Sequence, residues 1–151
     1  MDSRIIRYRK VPEVIFRKIE VLKEEKVDFE SKMLSADKLV KSFLWLQKFA
    51  LEKLVTIFFS SSLKIINYEI VTGTVNSANP IPREILRSII LSNASGFALI
   101  HNHPSGDESP SREDQKFLDK MKLLGNEIEI HLTDFIIIGD KYFSFAERGL
   151  L

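Results

Sequence analysis

Two of the three histidines in this 151-residue chain stand two residues apart, in His101-Asn-His103-Pro-Ser-Gly-Asp-Glu-Ser-Pro-Ser111-Arg-Glu-Asp114. Side-chain direction repeats every two residues along a strand, so at a strand end both imidazoles leave the same face. Two imidazoles a few ångströms apart can hold one metal ion, and a third ligand must then arrive from elsewhere. Asp114 is the candidate, because it falls in the first turn of a helix that a loop of this length can fold back toward the histidines. Two His and one carboxylate leave the fourth tetrahedral position to water, the arrangement of a catalytic rather than a structural zinc. Zinc lowers the pKa of such a water to about 7, which makes hydroxide available at neutral pH. The same letters have simpler uses. Ser111 and Asp114 can be a helix cap with an acidic first turn, Pro104, Gly106 and Pro110 can be loop punctuation, and an isolated His pair can be exposed loop residues. The joint pattern favours the metal: a pair ending an apolar strand, a Pro/Gly loop, and a capped acidic helix start.

The elements that must position these residues are legible as an α/β (α+β) pattern, a mixed β-sheet covered by helices. Ser35 can cap a helix whose Leu39, Val40, Phe43, Leu44 and Leu46 recur at helical spacing. Leu54–Phe59 is β-branched and aromatic, which favours a buried strand. A turn at Ser60–Ser62 leads to a second strand over Lys64–Thr72. Asn76–Pro82 reads as a loop whose last proline suits the first turn of a helix over Arg83–Ser92. Gly96–Ile100 is a strand running into His101. A helix opens at Ser111 and runs to Leu124, where Gly125 is expected to stop it. Glu127–Leu132, Asp134–Ile138 and Tyr142–Phe145 read as three further strands. Residues 1–34 differ in character and are read as an N-terminal extension with local positive charge at Arg4, Arg7, Arg9, Lys10, Arg17 and Lys18; residues 35–151 form the domain.

Composition narrows the function classes. With 44% hydrophobic and 28% charged residues the chain has the make-up of a globular protein. Lys+Arg (22) and Asp+Glu (21) nearly cancel, which argues against a body that binds DNA by charge alone. With no cysteine there is no disulfide framework, thiolate nucleophile or Cys-ligated metal. No apolar run reaches the ~18 residues that cross a bilayer. The first ten residues lack a secretory apolar segment, so the cytoplasm is the expected address.

The spacing H-x-H, seven residues, Ser, two residues, Asp resembles the metal-binding signature of the JAMM/JAB (MPN-like) metallohydrolases, met here at His101, His103, Ser111 and Asp114. The wording HNHPSGDESPSRED resembles one branch, the bacterial RadC family. So do Pro82-Arg-Glu-Ile-Leu86, Asp134-Phe-Ile-Ile-Ile-Gly-Asp140 and Tyr142-Phe-Ser-Phe-Ala-Glu147, and the resemblance extends from about residue 35 to the C-terminus. It implies a JAMM/MPN-like, cytidine-deaminase-like sheet, a Zn2+ cofactor held by His101, His103 and Asp114, and hydrolysis of a peptide or isopeptide-like amide. It also implies a glutamate before the first core strand, which Leu51-Glu52-Lys-Leu-Val-Thr-Ile-Phe-Phe59 supplies. Glu52 would take a proton from the zinc-bound water and pass it to the leaving amine, a transfer typically worth ~10²–10⁴-fold. Ser111 would stabilise the oxyanion. The implied partner is a peptide or protein substrate. The family's DNA repair and recombination label offers a second reading, a non-catalytic or DNA-associated module on the same metal-stabilised fold. One position departs from the pattern: Phe135 stands where RadC-type sequences commonly carry His. His131 is read as a strand or surface histidine, and Asp107 and Glu108 as solvated loop residues. The literal His-Asn-His is not an HNH nuclease, whose residues spread over a longer unit, and zinc deaminases need cysteine ligands.

Overall fold

The computed structural model describes residues 35–72 and 82–151, so the expected extension 1–34 and most of the expected 76–82 loop lie outside the described residues. Three α-helices, α1 (Ala36–Phe43), α2 (Pro82–Leu91) and α3 (Arg112–Glu127), cover a mixed five-stranded sheet. Its strands are β1 (Lys53–Phe59), β2 (Ile65–Thr72), β3 (Gly96–Asn102), β4 (His131–Ile138) and β5 (Tyr142–Ser144), in the order β2-β1-β3-β4-β5. β2, β1 and β3 run antiparallel to their neighbours, β3 and β4 are parallel with α3 as the crossover, and β5 returns antiparallel to β4. The chain is therefore a mixed α/β domain, as its alternating pattern implies.

Alternation along each strand sorts the core into two layers. Val55, Ile57, Ala98, Ile100, Ile136 and Ile138 face Leu39, Val40 and Phe43 of α1. Leu54, Phe58, Phe97, Leu99, Phe135 and Ile137 face Ile85 and Ile89 of α2 and Leu118 and Met121 of α3. His101 continues the Phe97–Leu99 row and so emerges on the α2/α3 side, at the end of a central strand. Parallel pairing forces β4 to begin at the far end of β3, so α3 must start beside the histidines and run the length of the sheet.

Three boundaries differ from expectation. The first helix is α-helical only to Phe43, then tightens into a 3-10 turn over Leu44–Lys48 that buries Trp45 and Leu46. Gly125 does not stop α3; the helix runs on to Glu127, and the left-handed residue is Glu129 (φ 57°). Gly125 is instead a point of close approach, because a Cβ there would lie 2.6 Å from the Ile130 carbonyl oxygen and 3.1 Å from the Phe97 ring. The two strands expected across 127–138 are one strand beginning at His131. Thr133 is an extra residue in it: Phe97 pairs with Leu132 and Ala98 with Asp134, and the Thr133 hydroxyl donates to the Phe97 carbonyl (3.0 Å). That bulge resets the facing of β4 and places Phe135 and Ile137 under α3.

Candidate metal centre

Three elements meet where β3 ends. β3 delivers His101 and leads on to His103, the approach to β1 delivers Glu52, and the first turn of α3 delivers Asp114. Leu54 pairs with His101 across the β1–β3 ladder, and Glu52, two residues earlier, is set toward the same face. The His101 and His103 rings lie edge to face, 5.0 Å apart.

Asp114 is buried and tied from every side. Its Oδ2 accepts from the Ser111 backbone N–H (2.8 Å) and hydroxyl (2.7 Å), while its own N–H donates to Ser111 Oγ (3.0 Å). This is a reciprocal helix cap, so the capping use of these residues and their place in the cluster coexist. His101 Nδ1 donates to Asp114 Oδ1 (3.1 Å). Burial by itself would raise the Asp114 pKa; the bonds from His101, His103 and Ser111 outweigh it and hold the carboxyl well below the usual carboxylate range. His103 is pushed up, first by its contact with Asp114, against burial and with help from the Asp107 carbonyl.

The tautomers follow from the partners. His103 Nδ1 donates to the Asp107 carbonyl (2.7 Å), and His101 Nδ1 is turned to Asp114. In the neutral rings both Nε2 atoms then present lone pairs; in a protonated His103 the Nε2–H faces Asp114 instead. His101 Nε2 lies 3.4 Å from Glu52 Oε2, and His103 Nε2 lies 3.4 Å from Asp114 Oδ2. An imidazole lone pair against a carboxylate oxygen is unfavourable unless a cation, proton or metal, is shared between them. Tetrahedral zinc with bonds of about 2.0–2.2 Å separates its ligands by about 3.4 Å. Glu52, His101 and His103 each offer a ligand atom within 4.8 Å of the other two. That set of three fits a zinc ion and has Glu52, not the expected Asp114, as its carboxylate; the Asp114 oxygens are engaged by His101 Nδ1 and by Ser111. The two carboxylates differ in mobility: Asp114 is 7% exposed and fixed, Glu52 is 59% exposed.

The loop after His103 is held from behind. The His103 N–H donates to the Ile138 carbonyl (2.9 Å), and the Asp140 N–H donates to the Gly106 carbonyl (2.7 Å). Gly139 is required there, since a Cβ would collide with the Gly106 carbonyl oxygen and the Glu108 nitrogen. Gln47 of the 3-10 turn donates to the Gly139 carbonyl (2.5 Å).

Among the residues singled out from sequence, Glu52, His101, His103, Ser111 and Asp114 are thus brought together. His131 is not: it is exposed at the opposite end of the sheet, beside Gly96, with Nδ1 on the Asn126 side chain (2.9 Å). Phe135 is also outside the cluster. It is fully buried, stacked on Phe145 (5.5 Å, 6° between planes) and edge-on to Phe117. Two roles escaped the sequence reading. Asp107 acts through its backbone carbonyl, which any residue possesses. Asn102, between the histidines, is buried with its amide on the Leu51 carbonyl (3.3 Å) and the Lys53 N–H (2.7 Å); being polar at a strand's buried end was its one signal.

Comparison with known proteins adds the family. The family model described as RadC-like JAB domain matches residues 31–150. A UPF0758 protein of Histophilus somni is 46% identical over 82 residues, which are 54% of this chain and 37% of that protein. A UPF0758 protein of Methanosarcina acetivorans is 37% identical over 102 residues (66% and 44%), and one of Vibrio cholerae is 39% identical over 83 (55% and 53%). The chain spans between about a third and about a half of the length of these curated relatives.

Proposed function

The chain belongs to the RadC-like JAB domain family, and on that premise we propose that it is a zinc-dependent hydrolase of peptide or isopeptide-like amide bonds. His101, His103 and Asp114 are its metal ligands, Glu52 its proton-transfer group, and Ser111 the stabiliser of the developing oxyanion. The observation that carries this reading is the pair of 3.4 Å approaches of His101 Nε2 to Glu52 and of His103 Nε2 to Asp114. Bound zinc would supply a Lewis acid for the scissile carbonyl and a water of lowered pKa.

The division of labour between the carboxylates follows from their surroundings. Asp114 is rigid and held ionised, as a ligand must be. Glu52 has one oxygen near His101 and is otherwise open to water, so it can accept a proton and turn to deliver it to a leaving amine. Ser111 has its hydroxyl proton on Asp114 Oδ2, and to serve the oxyanion it must rotate toward substrate. Its backbone cap on Asp114 survives that rotation.

The test combines metal analysis with a screen of peptide and isopeptide-linked substrates. Wild type and Glu52→Gln are expected to retain one zinc per chain, and Asp114→Ala to lose it. Glu52→Gln should lower hydrolysis by about 10²–10⁴-fold. Equal zinc in wild type and Asp114→Ala, or full turnover by Glu52→Gln, overturns the assignment.

A further inference from the structure

We infer that Asn102 is a positioning residue for Glu52: its side-chain amide fastens the backbone on both sides of that glutamate to the end of β3. The β1–β3 ladder ends at the Leu54–His101 pair, so Glu52 lies beyond the last backbone rung. Asn102, only 1% exposed, extends the connection by one step. Its Oδ1 accepts the Lys53 N–H (2.7 Å) and its Nδ2 donates to the Leu51 carbonyl (3.3 Å). These two bonds bracket Glu52, whose side chain is 59% exposed and so is not placed by packing. What sets its carboxylate 3.4 Å from His101 Nε2 is the position of its backbone.

The residues on either side of Asn102 are the two histidines, so one three-residue segment fixes both the metal-binding imidazoles and the reach of the opposing carboxylate. The alternating pleat makes this possible. His101 turns toward α3, while Asn102, following Ala98 and Ile100, turns to the α1 side and passes behind Glu52. An amide is the side chain of this size that offers an acceptor and a donor together. Aspartate keeps the acceptor for Lys53 but sets an oxygen against the Leu51 carbonyl, and leucine keeps the volume without either bond.

The inference rests on the reading of Glu52 as the proton-transfer group, yet the geometry it claims is measurable without metal or substrate. The experiment is NMR on the full chain as wild type, Asn102→Leu and Asn102→Asp. It follows amide exchange at Lys53 and the nuclear Overhauser contact between the Glu52 side chain and the His101 ring. In Asn102→Leu, Lys53 exchange should quicken by about tenfold or more, and the Glu52–His101 contact should vanish while the His101–His103 contact stays. Asn102→Asp should keep Lys53 protected and, having lost the Leu51 bond alone, weaken the Glu52–His101 contact less than Asn102→Leu does. A Glu52–His101 contact of wild-type strength in Asn102→Leu overturns the inference. So does a loss shared by both variants and spread through the β1 and β3 amides, which assigns Asn102 to sheet stability alone. The Glu52→Gln hydrolysis assay decides the base role separately, so either reading can fail while the other stands.

Discussion

The contact between His103 and Asp114 favours a protonated imidazole beside a carboxylate, and this gives the metal-free protein a pH signature. Asp114 has a depressed pKa, so its stabilising contribution is present above the unfolded value of 3.8 and is lost as pH falls through the folded value. His103 has a raised pKa, so its contribution is complete below the unfolded value of 6.5 and is lost as pH rises through the folded value. With chelator present, the melting temperature should therefore be highest between about pH 4 and 6.5 and decline toward pH 8. Asp114→Asn should flatten the alkaline decline. Zinc runs the other way, because a ligating imidazole must be neutral: its affinity should tighten by about tenfold per pH unit while the His103 proton is still to be displaced. Calorimetric titration across pH 5.5–8 checks this, and an affinity flat over that window would remove His103 from the ligand set. At this scale the sequence was readable where spacing is local. His101, His103, Ser111 and Asp114 fall within fourteen residues, and strand and cap geometry suffice to join them. Glu52 was reached only through a family resemblance, and Asn102 not at all, since its partners lie 49 and 51 positions away.

Among the elements, the turn between β4 and β5 does the most for the candidate centre without contributing a side chain to it. It supports the 103–108 loop through the Ile138 carbonyl, the Asp140 N–H and the bare Cα of Gly139. Gly139→Ala must push that loop away, since the colliding atoms are backbone. The expected outcome is a fold weakened by about 1–3 kcal/mol but a zinc affinity reduced by more than the stability loss accounts for, because His103 moves with the loop. Metal titration beside chemical denaturation separates the two effects; unchanged affinity would mean the loop relaxes elsewhere. Phe135→Ala should give the reverse profile. Its ring fills the layer between β4 and α3, so its loss should cost about 3–5 kcal/mol, with zinc still bound wherever the protein is folded. That buried stack is also the physical account of a phenylalanine at this position. The helix-covered sheet was legible from apolar, β-branched segments alternating with helices, whereas the glycines were not. A glycine that ends a helix and one that admits a neighbouring backbone look alike in sequence, and Gly125 proved to be the second kind.

For the whole molecule, the distribution of charge weighs the two functional readings against each other. The first 34 residues hold nine Lys/Arg and seven Asp/Glu, leaving thirteen and fourteen for residues 35–151, which therefore carry a formal charge of −1. Two of those fourteen acids, Glu52 and Asp114, stand at the candidate centre, which a phosphate backbone would have to approach. No described helix is long and apolar enough to cross a membrane. An amide substrate is uncharged at the reacting bond and meets no such barrier. Affinity for duplex DNA grows with the phosphates that Lys and Arg neutralise, at a salt slope of about −0.9 per phosphate. DNA binding that draws only on the nine cations of residues 1–34 has a salt slope of magnitude at most about 8. The expectation for the hydrolase reading is weaker still: a dissociation constant above about 10⁻⁴ M for linear duplex at physiological salt. Fluorescence anisotropy on linear and branched DNA from 50 to 200 mM salt measures both quantities. Tight binding with a slope steeper than those nine cations allow would place a DNA surface on residues 35–151 and favour the DNA-associated reading. Binding that disappears when Arg4, Arg7, Arg9 and Lys10 are replaced by alanine would confine the contact to the N-terminal residues and leave the metal centre free for its amide.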